Sequence, residues 1–342
     1  MPPRLGVVRN KLKSVSLSAF PSITLLLLIS SLSLAAEPEK LTIINSSVTP
    51  HNLVFLIPKE LGLYKKYGVE VEVVQVTGGL SMRTLASGYA PLAFTGSTLA
   101  ITTAQGGLDV VILLGITNRL NYDIWARPGI KTPAALKGTK FAIATFGGPS
   151  HTAAVLMFKY FKLDERRDGI AFLTIGSEPA RVQALLSGSI DATLSDPSVA
   201  AVLKEKGFSY LGNFADLGIP VTGNTMVSTK RYVRENPSIV EAVIKATVEG
   251  IAYILNPVNR SHVTAVLAKH LRLSDERAKD GYDNVIRLLE RKPYPNMEAV
   301  KRTIETMATW NPKASQLKAE DIVDVSMLTK LDETGFIDKL RR

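Results

Sequence analysis

Four short segments concentrate hydroxyl, amide, imidazole and carboxylate side chains together with glycines, each after a short apolar run. They are residues 46–52, 95–98, 146–152 and 195–198. Their candidate ligand-binding residues are His51, Asn52, Thr95, Gly96, Ser97, Thr98, Phe146, Gly147, Gly148, Ser150, His151, Thr152 and Asp196. Such side chains can hold a small molecule by hydrogen bonds, and Gly147 and Gly148 would let the backbone approach it closely.

Three of these segments lead into predicted helices, whose N-termini carry unbonded N–H groups and partial positive charge. Such helix ends bind anions. Ser97 and Ser150 fit either plain helix caps or caps that also contact the ligand. Asp196 is expected either to bind an amine or hydroxyl of the ligand or to cap its own helix. We favour the bond to the ligand. His51 and His151 begin predicted helices, where a structural role and a ligand contact are both open.

Two residues outside the four segments complete the candidate set. Asn224 lies beside a Gly/Pro break at residues 218–223 and is a candidate ligand contact. Trp125 lies on a predicted strand, where it would form core or cleft wall, or else a stacking platform for the ligand. Arg181 is expected on the surface, with an anion contact as the alternative.

The residue types argue against catalysis. Residues 148–152 (GPSHT) match the G-x-S-x-G nucleophile turn only in part, and adjacent Ser and His cannot by themselves supply triad geometry. None of the four histidines lies in an H-E-x-x-H motif, and no phosphate-binding P-loop is present. The chain has no cysteine, which excludes thiolate metal sites and Cys nucleophiles. We therefore expect no catalytic residue, no metal and no cofactor.

The overall composition is that of a globular protein large enough for two domains. The 342 residues are 46% hydrophobic and 21% charged, which excludes a disordered chain, a collagen-like repeat and a polytopic membrane protein. The net charge is +10, and removal of residues 1–36, with four basic and no acidic residues, would leave +6. That charge weakly favours anionic ligands. The sequence contains no basic cluster with interleaved aromatic residues, so it does not predict nucleic-acid binding.

The first 36 residues have the order of a secretory signal peptide. Basic residues at positions 4 to 13 precede an apolar run over 23–34, small residues and a charged exit. The apolar run is shorter than the about 20 residues that a spanning helix needs. We predict cleavage after Ala35 or Ala36. An uncleaved N-terminal anchor is the alternative.

The elements that must position the polar segments form two similar α/β units. Residues 41–94 alternate as strand, helix, strand, helix, strand, and residues 141–194 repeat that order. At an offset of 100, nine of the 49 positions from 40 to 88 are identical in the second unit. This alternation predicts parallel sheets with right-handed crossovers, and ligands collect outside the carboxyl ends of such strands. The four polar segments lie at those ends.

Two breaks divide the remaining chain. Residues 127–133 carry Gly and Pro after the predicted strand 122–126, and residues 218–223 precede a strand at 225–228. Beyond residue 230 the pattern is helical, starting with a long helix from Asn236–Pro237 to about Leu255.

Several segments in this order resemble the ABC-transporter substrate-binding proteins of the nitrate, sulfonate/taurine and thiamine-pyrimidine-precursor group. They are PKELGLYKKYGVEV at 58–71, LASG at 85–88, IKTP at 130–133, LKG at 136–138, ALLSGSIDA at 184–192 and ENP at 235–237. The resemblance covers nearly all of the chain after residue 36.

The resemblance implies an α/β fold of two lobes, each a mixed, mainly parallel sheet flanked by helices, with the ligand cleft between them. Lobe one would comprise residues 37–127 with 228–342, and lobe two residues 128–227. It implies a monomeric periplasmic protein that delivers a solute to an ABC permease and its ATPase. A sensor that signals to a membrane receptor is the alternative, and an exported enzyme is disfavoured. The ligand is either an anion such as a sulfonate or nitrate, or a neutral or cationic heteroaromatic such as a pyrimidine precursor.

Overall fold

The computed structural model describes residues 38–46, 48–76, 78–197, 200–219 and 221–340. The predicted signal peptide with its cleavage site at Ala35 or Ala36 lies outside the described residues, as do Ser47 and Ser198 of the polar segments. Across the described ranges, no helix combines the length and apolar character needed to span a membrane.

The first sheet contains five strands in the order β2-β1-β3-β10-β4. Their bounds are β1 Glu39–Asn45, β2 Val69–Gln75, β3 Leu92–Gly96, β4 Val110–Gly115 and β10 Asn224–Thr229. Strands β1, β2 and β3 pair in parallel, while β10 runs antiparallel to both β3 and β4. Ile43 and Ile44, on opposite faces of β1, are both fully buried. Helices therefore cover both faces of this sheet, as its near-continuous apolar strands require.

The second sheet repeats this plan, in the order β7-β6-β8-β5-β9. Its strands are β5 Asp123–Ala126, β6 Lys140–Ile143, β7 Ala171–Thr174, β8 Ala192–Ser195 and β9 Ser209–Asn213. Parallel β7, β6 and β8 correspond to β2, β1 and β3, and β5 is the inserted antiparallel strand. The predicted fold class is confirmed, and the repeat at an offset of 100 residues extends to the strand topology.

Among the described residues, fifteen α-helices cover the two sheets and form the C-terminal region. They are α1 Leu53–Glu60, α2 Leu63–Lys66, α3 Gly78–Ala86, α4 Ser97–Gln105, α5 Pro149–Tyr160, α6 Glu178–Leu186, α7 Ala200–Glu205, α8 Lys230–Glu235, α9 Pro237–Leu255, α10 Arg260–Leu271, α11 Asp275–Leu288, α12 Met297–Ala308, α13 Ala319–Ile322, α14 Ser326–Glu333 and α15 Phe336–Lys339. The predicted single helix over 52–66 is two helices, because Gly62 between α1 and α2 adopts φ +67°.

The chain passes between the sheets twice, and we call the described residues of these passages, 116–122 and 214–219 with 221–223, the crossing segments. Strand β5 precedes the predicted boundary at 127/128 yet belongs to the second sheet, and β10 spans the predicted boundary at 227/228 yet belongs to the first. The first exchange therefore precedes the Gly/Pro break at 127–133, whereas the second lies around the break at 218–223. Gly/Pro content marks a chain turn, whereas long-range pairing decides which sheet a strand joins.

The C-terminal helices pack on the first sheet. Helix α9 lies against α1 so closely that a Cβ on Gly250 would meet Pro58 Cγ at 2.5 Å. Val323 bridges to Ile112 of β4, and Ile101 of α4 shares a buried cluster with Ile304 of α12. The described C-terminal helices and the first sheet therefore pack together, and the assignment of residues 228–342 to lobe one stays a prediction.

Candidate functional site

A small polar pocket lies at the carboxyl edge of the first sheet. It is lined by Asn45, Thr49, His51, Asn52, Val54, Phe55, Phe94, Thr95, Ile116 and Asn224. Asn45 ends β1 and Thr95 lies near the end of β3, while antiparallel β10 begins at Asn224, whose Cα pairs with Gly96. Three strand ends thus bring their amides and hydroxyls together. The pocket encloses about 10 Å³, room for about one water molecule.

Hydrogen bonds fix the polar wall of this pocket. Asn45 Nδ2 donates to Gln75 Oε1 at 2.7 Å, and Ser46 Oγ donates to Thr95 Oγ1 at 3.0 Å. The Asn224 amide N–H donates to Thr117 Oγ1 at 2.9 Å, which ties the start of β10 to the first crossing segment. A wall held in this way presents its remaining polar atoms in a defined geometry, which is what specific ligand binding needs.

His51 lines the same pocket from the 3-10 turn before α1. Burial lowers the pKa of its imidazole to about 4, while the negative charge of Asp196 in the second lobe acts in the opposite direction. The ring is therefore neutral at pH 7. Its Nε2 is buried and has no hydrogen-bond partner among the described residues. The charge of Asp196, a predicted site residue of the second lobe, therefore acts on His51, a predicted site residue of the first.

Charged side chains cluster at the carboxyl edge of the second sheet. The Asp196 amide N–H donates to Glu178 Oε1 at 3.0 Å. Arg181, only 4% exposed, donates from Nη1 to Gly176 O at 2.7 Å and from Nη2 to Leu194 O at 3.4 Å. Burial raises the pKa of the Glu178 carboxyl and lowers that of the Arg181 guanidinium. Arg181 is thus a buried group of this edge rather than the surface arginine that the sequence favoured.

The predicted residues of the turn between β6 and α5 bond chiefly to one another. Ser150 Oγ accepts the Ala144 amide N–H at 2.8 Å, and Thr152 Oγ1 donates to Gly148 O at 3.1 Å. His151 Nδ1 accepts the Gly147 amide N–H at 3.0 Å. The neutral imidazole then carries its proton on Nε2. These bonds hold the turn in shape, and a ligand contact by its side chains stays a prediction.

Aromatic rings enclose the His151 imidazole, which is 1% exposed. The ring centroids of Phe146, Phe172 and Trp310 lie 4.8, 4.9 and 4.5 Å from its own. Burial lowers the pKa of His151 to about 4. Phe146 is itself 61% exposed, so one edge of this cluster faces solvent.

The first residue of α4 is hydrogen-bonded to the second crossing segment. The Ser97 amide N–H donates to Gly223 O at 2.8 Å, and Ser97 Oγ donates to Thr222 O. Gly96 precedes α4 with extended backbone, and Thr98 is buried. One of the helix N–H groups predicted to bind an anion is therefore bonded to a backbone carbonyl.

Trp125 does not reach the cleft. Its side chain is fully buried in the second lobe with Ala142, Leu185 and Leu203, and its ring lies 5.3 Å from that of Tyr210. The prediction that Trp125 contacts the ligand is corrected, because its face of β5 is covered by the helices of the same lobe.

The geometry can be set beside known proteins. A family model described as NMT1/THI5 like matches residues 49–259, more than half of the chain. The chain belongs to this family. A search of curated protein sequences finds no match.

Many solved structures share the two-lobe fold. The nitrate-binding protein NrtA of Synechocystis PCC 6803 superposes with a TM-score of 0.70 at 15% identity, over 87% of this chain and 89% of its own. The aliphatic sulphonate-binding protein SsuA of Escherichia coli has a TM-score of 0.65 at 23% identity, over 83% and 96%. The ligand-binding component of an ABC-type import system from Staphylococcus aureus has a TM-score of 0.65 at 14% identity, over 85% and 98%. At these identities the likeness shows the fold, which is that of periplasmic binding proteins.

Sequence reasoning about this family member missed part of the site. Asn45 could have been identified from the sequence, because it is the polar last residue of an apolar strand. Glu178 carried no signal, since it reaches the cleft edge only by accepting the Asp196 amide. Trp310 carried none either, since its packing on His151 joins residues 159 positions apart.

Proposed function

We propose that this protein is an exported solute-binding protein, which captures a small molecule between its two lobes and delivers it to an ABC importer. Its family and the nitrate- and sulphonate-binding proteins that share its fold support this proposal. A neighbour named as the binding component of an ABC-type import system supports the partnership with a permease and its ATPase. The proposed location is the periplasm, and the proposed state is a monomer.

The proposal rests chiefly on the pocket at the carboxyl edge of the first sheet. Asn52, Thr95 and Asn224 line it from the first lobe, and His51 is within electrostatic reach of Asp196 from the second. A few polar groups set in an apolar-backed pocket are the usual construction of a small-molecule site. We propose these five residues, with Asn45 and Thr49, as the ligand contacts.

Binding requires the lobes to move apart and close again. Ligand pockets measure roughly 300–1,000 Å³, far more than the about 10 Å³ enclosed here. The crossing segments are the natural hinge. Residues 290–296, which we call the hinge strap, lie across both of them: the Glu290 amide N–H donates to Ile116 O at 3.1 Å, and Asn296 O accepts from Thr222 Oγ1 at 3.2 Å. The solute would stabilise the closed form, and a permease would recognise that form.

We propose a binding role rather than catalysis. The chain lacks cysteine. The described residues contain no group of three His, Asp or Glu side chains placed to hold a metal ion. His51 Nε2 has no hydrogen-bond partner within that part of the chain, so no nucleophile–base pair runs through that atom. The proposed role fits binding proteins of the same fold.

The first experiment asks whether the purified protein retains a solute and closes on it. The protein is denatured, and released small molecules are identified by mass spectrometry. The solute is then titrated into refolded protein while tryptophan fluorescence and small-angle X-ray scattering are recorded. Of the two tryptophans, Trp125 is core and Trp310 lies between the lobes. We expect a saturable fluorescence change and a smaller radius of gyration.

Controls separate closure from other effects. Trp310→Phe should abolish the fluorescence change while the scattering change remains. Asn52→Ala and Asn224→Ala should each weaken binding at least tenfold. Loss of uptake of the solute when the gene is deleted in the source cell, restored by wild type and not by these variants, would assign transport. Intact uptake would instead favour a sensor, and turnover of the solute would overturn the binding role.

A further inference from the structure

An arginine at the end of α11 reaches from the first sheet's side of the hinge to the second. Helix α11 packs on the first sheet, since its Tyr282 shares a buried cluster with Ile43 of β1. In the last turn of α11, Arg287 Nη2 donates to Asn121 Oδ1 at 2.8 Å, and Nη1 donates to Asp216 Oδ1 at 3.2 Å. One guanidinium thus bonds to two acceptors through two of its nitrogens.

Both acceptors are attached to the second sheet. Asp216 lies two residues after Phe214, which is buried in the core of the second lobe. Asn121 Oδ1 also accepts from Asn213 Nδ2 at 3.2 Å, and Asn213 is the last residue of β9. The acceptors therefore lie at the second-lobe ends of the two crossing segments. We call Arg287, Asn121 and Asp216 the arginine latch.

The backbone next to Arg287 is held on the first crossing segment. Arg119 Nη2 donates to Arg287 O at 3.3 Å. The Glu290 amide N–H donates to Ile116 O at 3.1 Å. The backbone is thus held on one side and the guanidinium on the other. Rotation of the lobes about the crossing segments would therefore change the distances within the latch.

Water and salt reach the latch. The side chains of Arg287 and Asp216 are 41% and 62% exposed. An exposed ion pair is weak and is screened by salt, whereas a second hydrogen bond from the same planar guanidinium fixes its geometry. The latch can therefore shift an equilibrium between open and closed lobes without locking it.

We propose that Arg287 positions the lobes for capture: its bonds to Asn121 and Asp216 favour the closed form before a solute binds, and salt weakens that preference. The inference rests on the proposed function, since it names the residue that controls closure on the solute. Arg287 is not among the described residues that line the first-lobe pocket, so it acts on affinity through closure. Capture then weakens as ionic strength rises.

The absence of cysteine lets spin labels report closure in the protein without added solute. Arg83→Cys on α3 and Gln183→Cys on α6 replace exposed residues at equivalent positions of the two α/β units. Double electron–electron resonance on the full-length protein measures the distance between the two labels at about 20 mM and about 500 mM NaCl. Small-angle X-ray scattering of the same samples identifies the compact, closed form. We expect the closed-to-open ratio to fall at least about threefold at the higher salt.

Variants assign this preference to the latch. Arg287→Met and Asp216→Ala should each lower the closed-to-open ratio about threefold to tenfold at low salt, and Arg287→Met should abolish its salt dependence. The double variant should be no more open than Arg287→Met, because both changes remove the same ion pair. Arg260→Met is the matched control, since Arg260 and Asp283 form a 2.8 Å ion pair of similar exposure, 49% and 50%, between α10 and α11. It should leave the ratio within about twofold.

Equal ratios in wild type, Arg287→Met and Asp216→Ala would overturn the inference, as would an equal shift in Arg260→Met. A protein that is closed in every sample would overturn it too. Asp216→Asn, which keeps an acceptor and removes the charge, decides the case in which Arg287→Met does not fold. A lower and less salt-dependent ratio in Asp216→Asn supports the latch, and an unchanged ratio overturns it.

The latch and the proposed function fail separately. The molecule released from denatured protein is titrated back at both salt concentrations. Wild type should bind it at least about threefold more tightly at low salt, and Arg287→Met should show no such difference. Equal salt dependence in both proteins would overturn the role of Arg287 in capture and leave the proposed function intact. Label distances that shift as expected, in a protein that binds no released molecule, would support the latch and overturn the proposed function.

Discussion

The indole of Trp310 packs edge-on against the imidazole of His151, with ring centroids 4.5 Å apart and planes at 63°. Trp310 follows α12, which is packed with α4 on the first sheet, and His151 lies in the first turn of α5 in the second lobe. This contact therefore joins the two lobes beside the cleft. Lys159 Nζ, which donates to Thr306 Oγ1 at 3.2 Å, joins the same two helices further along.

Removing the Trp310 ring should weaken solute binding without touching the pocket. An aromatic pair contributes about 0.5–1.5 kcal/mol beyond its buried area, and this pair exists only when the lobes are together. We expect Trp310→Ala to raise the dissociation constant about threefold to tenfold, and Trp310→Phe to raise it less than threefold. Isothermal titration calorimetry with the retained solute measures both. Equal affinity in all three proteins would mean that the contact does not stabilise closure.

Stability should fall with pH in a window set by two buried histidines. Burial lowers the pKa of His51 and His151 from 6.5 to about 4, so the unfolded chain binds more protons than the folded chain between these values. Their contribution to the free energy of unfolding is complete above pH 6.5 and is lost as the pH falls towards 4. The loss is at most about 3 kcal/mol for each ring.

Denaturant unfolding at pH 7.5, 5.5 and 4.5 measures this effect. His151→Asn keeps an acceptor for the Gly147 amide and removes the titrating group. We expect the variant to be less stable than wild type at pH 7.5 and to lose less stability between pH 7.5 and 4.5. Identical pH profiles would show that folding does not lower the pKa of His151.

Two glycines that end parallel strands should respond differently to alanine. A Cβ on Gly115, the last residue of β4, would lie 2.6 Å from Pro295 Cα in the hinge strap, whereas a Cβ on Gly96, the last residue of β3, meets nothing within 4 Å. Overpacking against backbone costs about 1–3 kcal/mol. We expect a loss of that size for Gly115→Ala and a change within about 0.5 kcal/mol for Gly96→Ala. Urea unfolding compares them, and equal losses would rule out the strap contact.

The Ser150 hydroxyl should matter for stability. It accepts the Ala144 amide N–H at 2.8 Å, and Ser150 is buried. Ser150→Ala would leave that amide unsatisfied, which costs about 1–3 kcal/mol. Ser315→Ala, which removes an exposed hydroxyl bonded to Pro312 O, is the matched control and should change stability by less than about 0.5 kcal/mol. Thermal unfolding would contradict the assignment if both variants behaved alike.

The repeated strand–helix order was predictable because apolar periodicity is local. Strands β1, β2 and β3 and their counterparts β6, β7 and β8 begin and end within two residues of their predicted bounds. The exchange of β5 and β10 between sheets was not predictable in this way. Each pairs with strands far along the chain, such as Met226 with Phe94, and no local pattern encodes that choice.

The sequence by itself determined the two α/β units, their offset of 100 residues and the gathering of polar segments at strand ends. These features depend on apolar spacing and on glycine and proline positions, which act over a few residues. Only the tertiary structure decided which polar side chains meet. It buried Trp125 in the core of the second lobe, bonded Ser150 and Thr152 within a turn, and packed Trp310 against His151. The physical reason is that a side chain's neighbours depend on strands inserted from the other half and on distant helices.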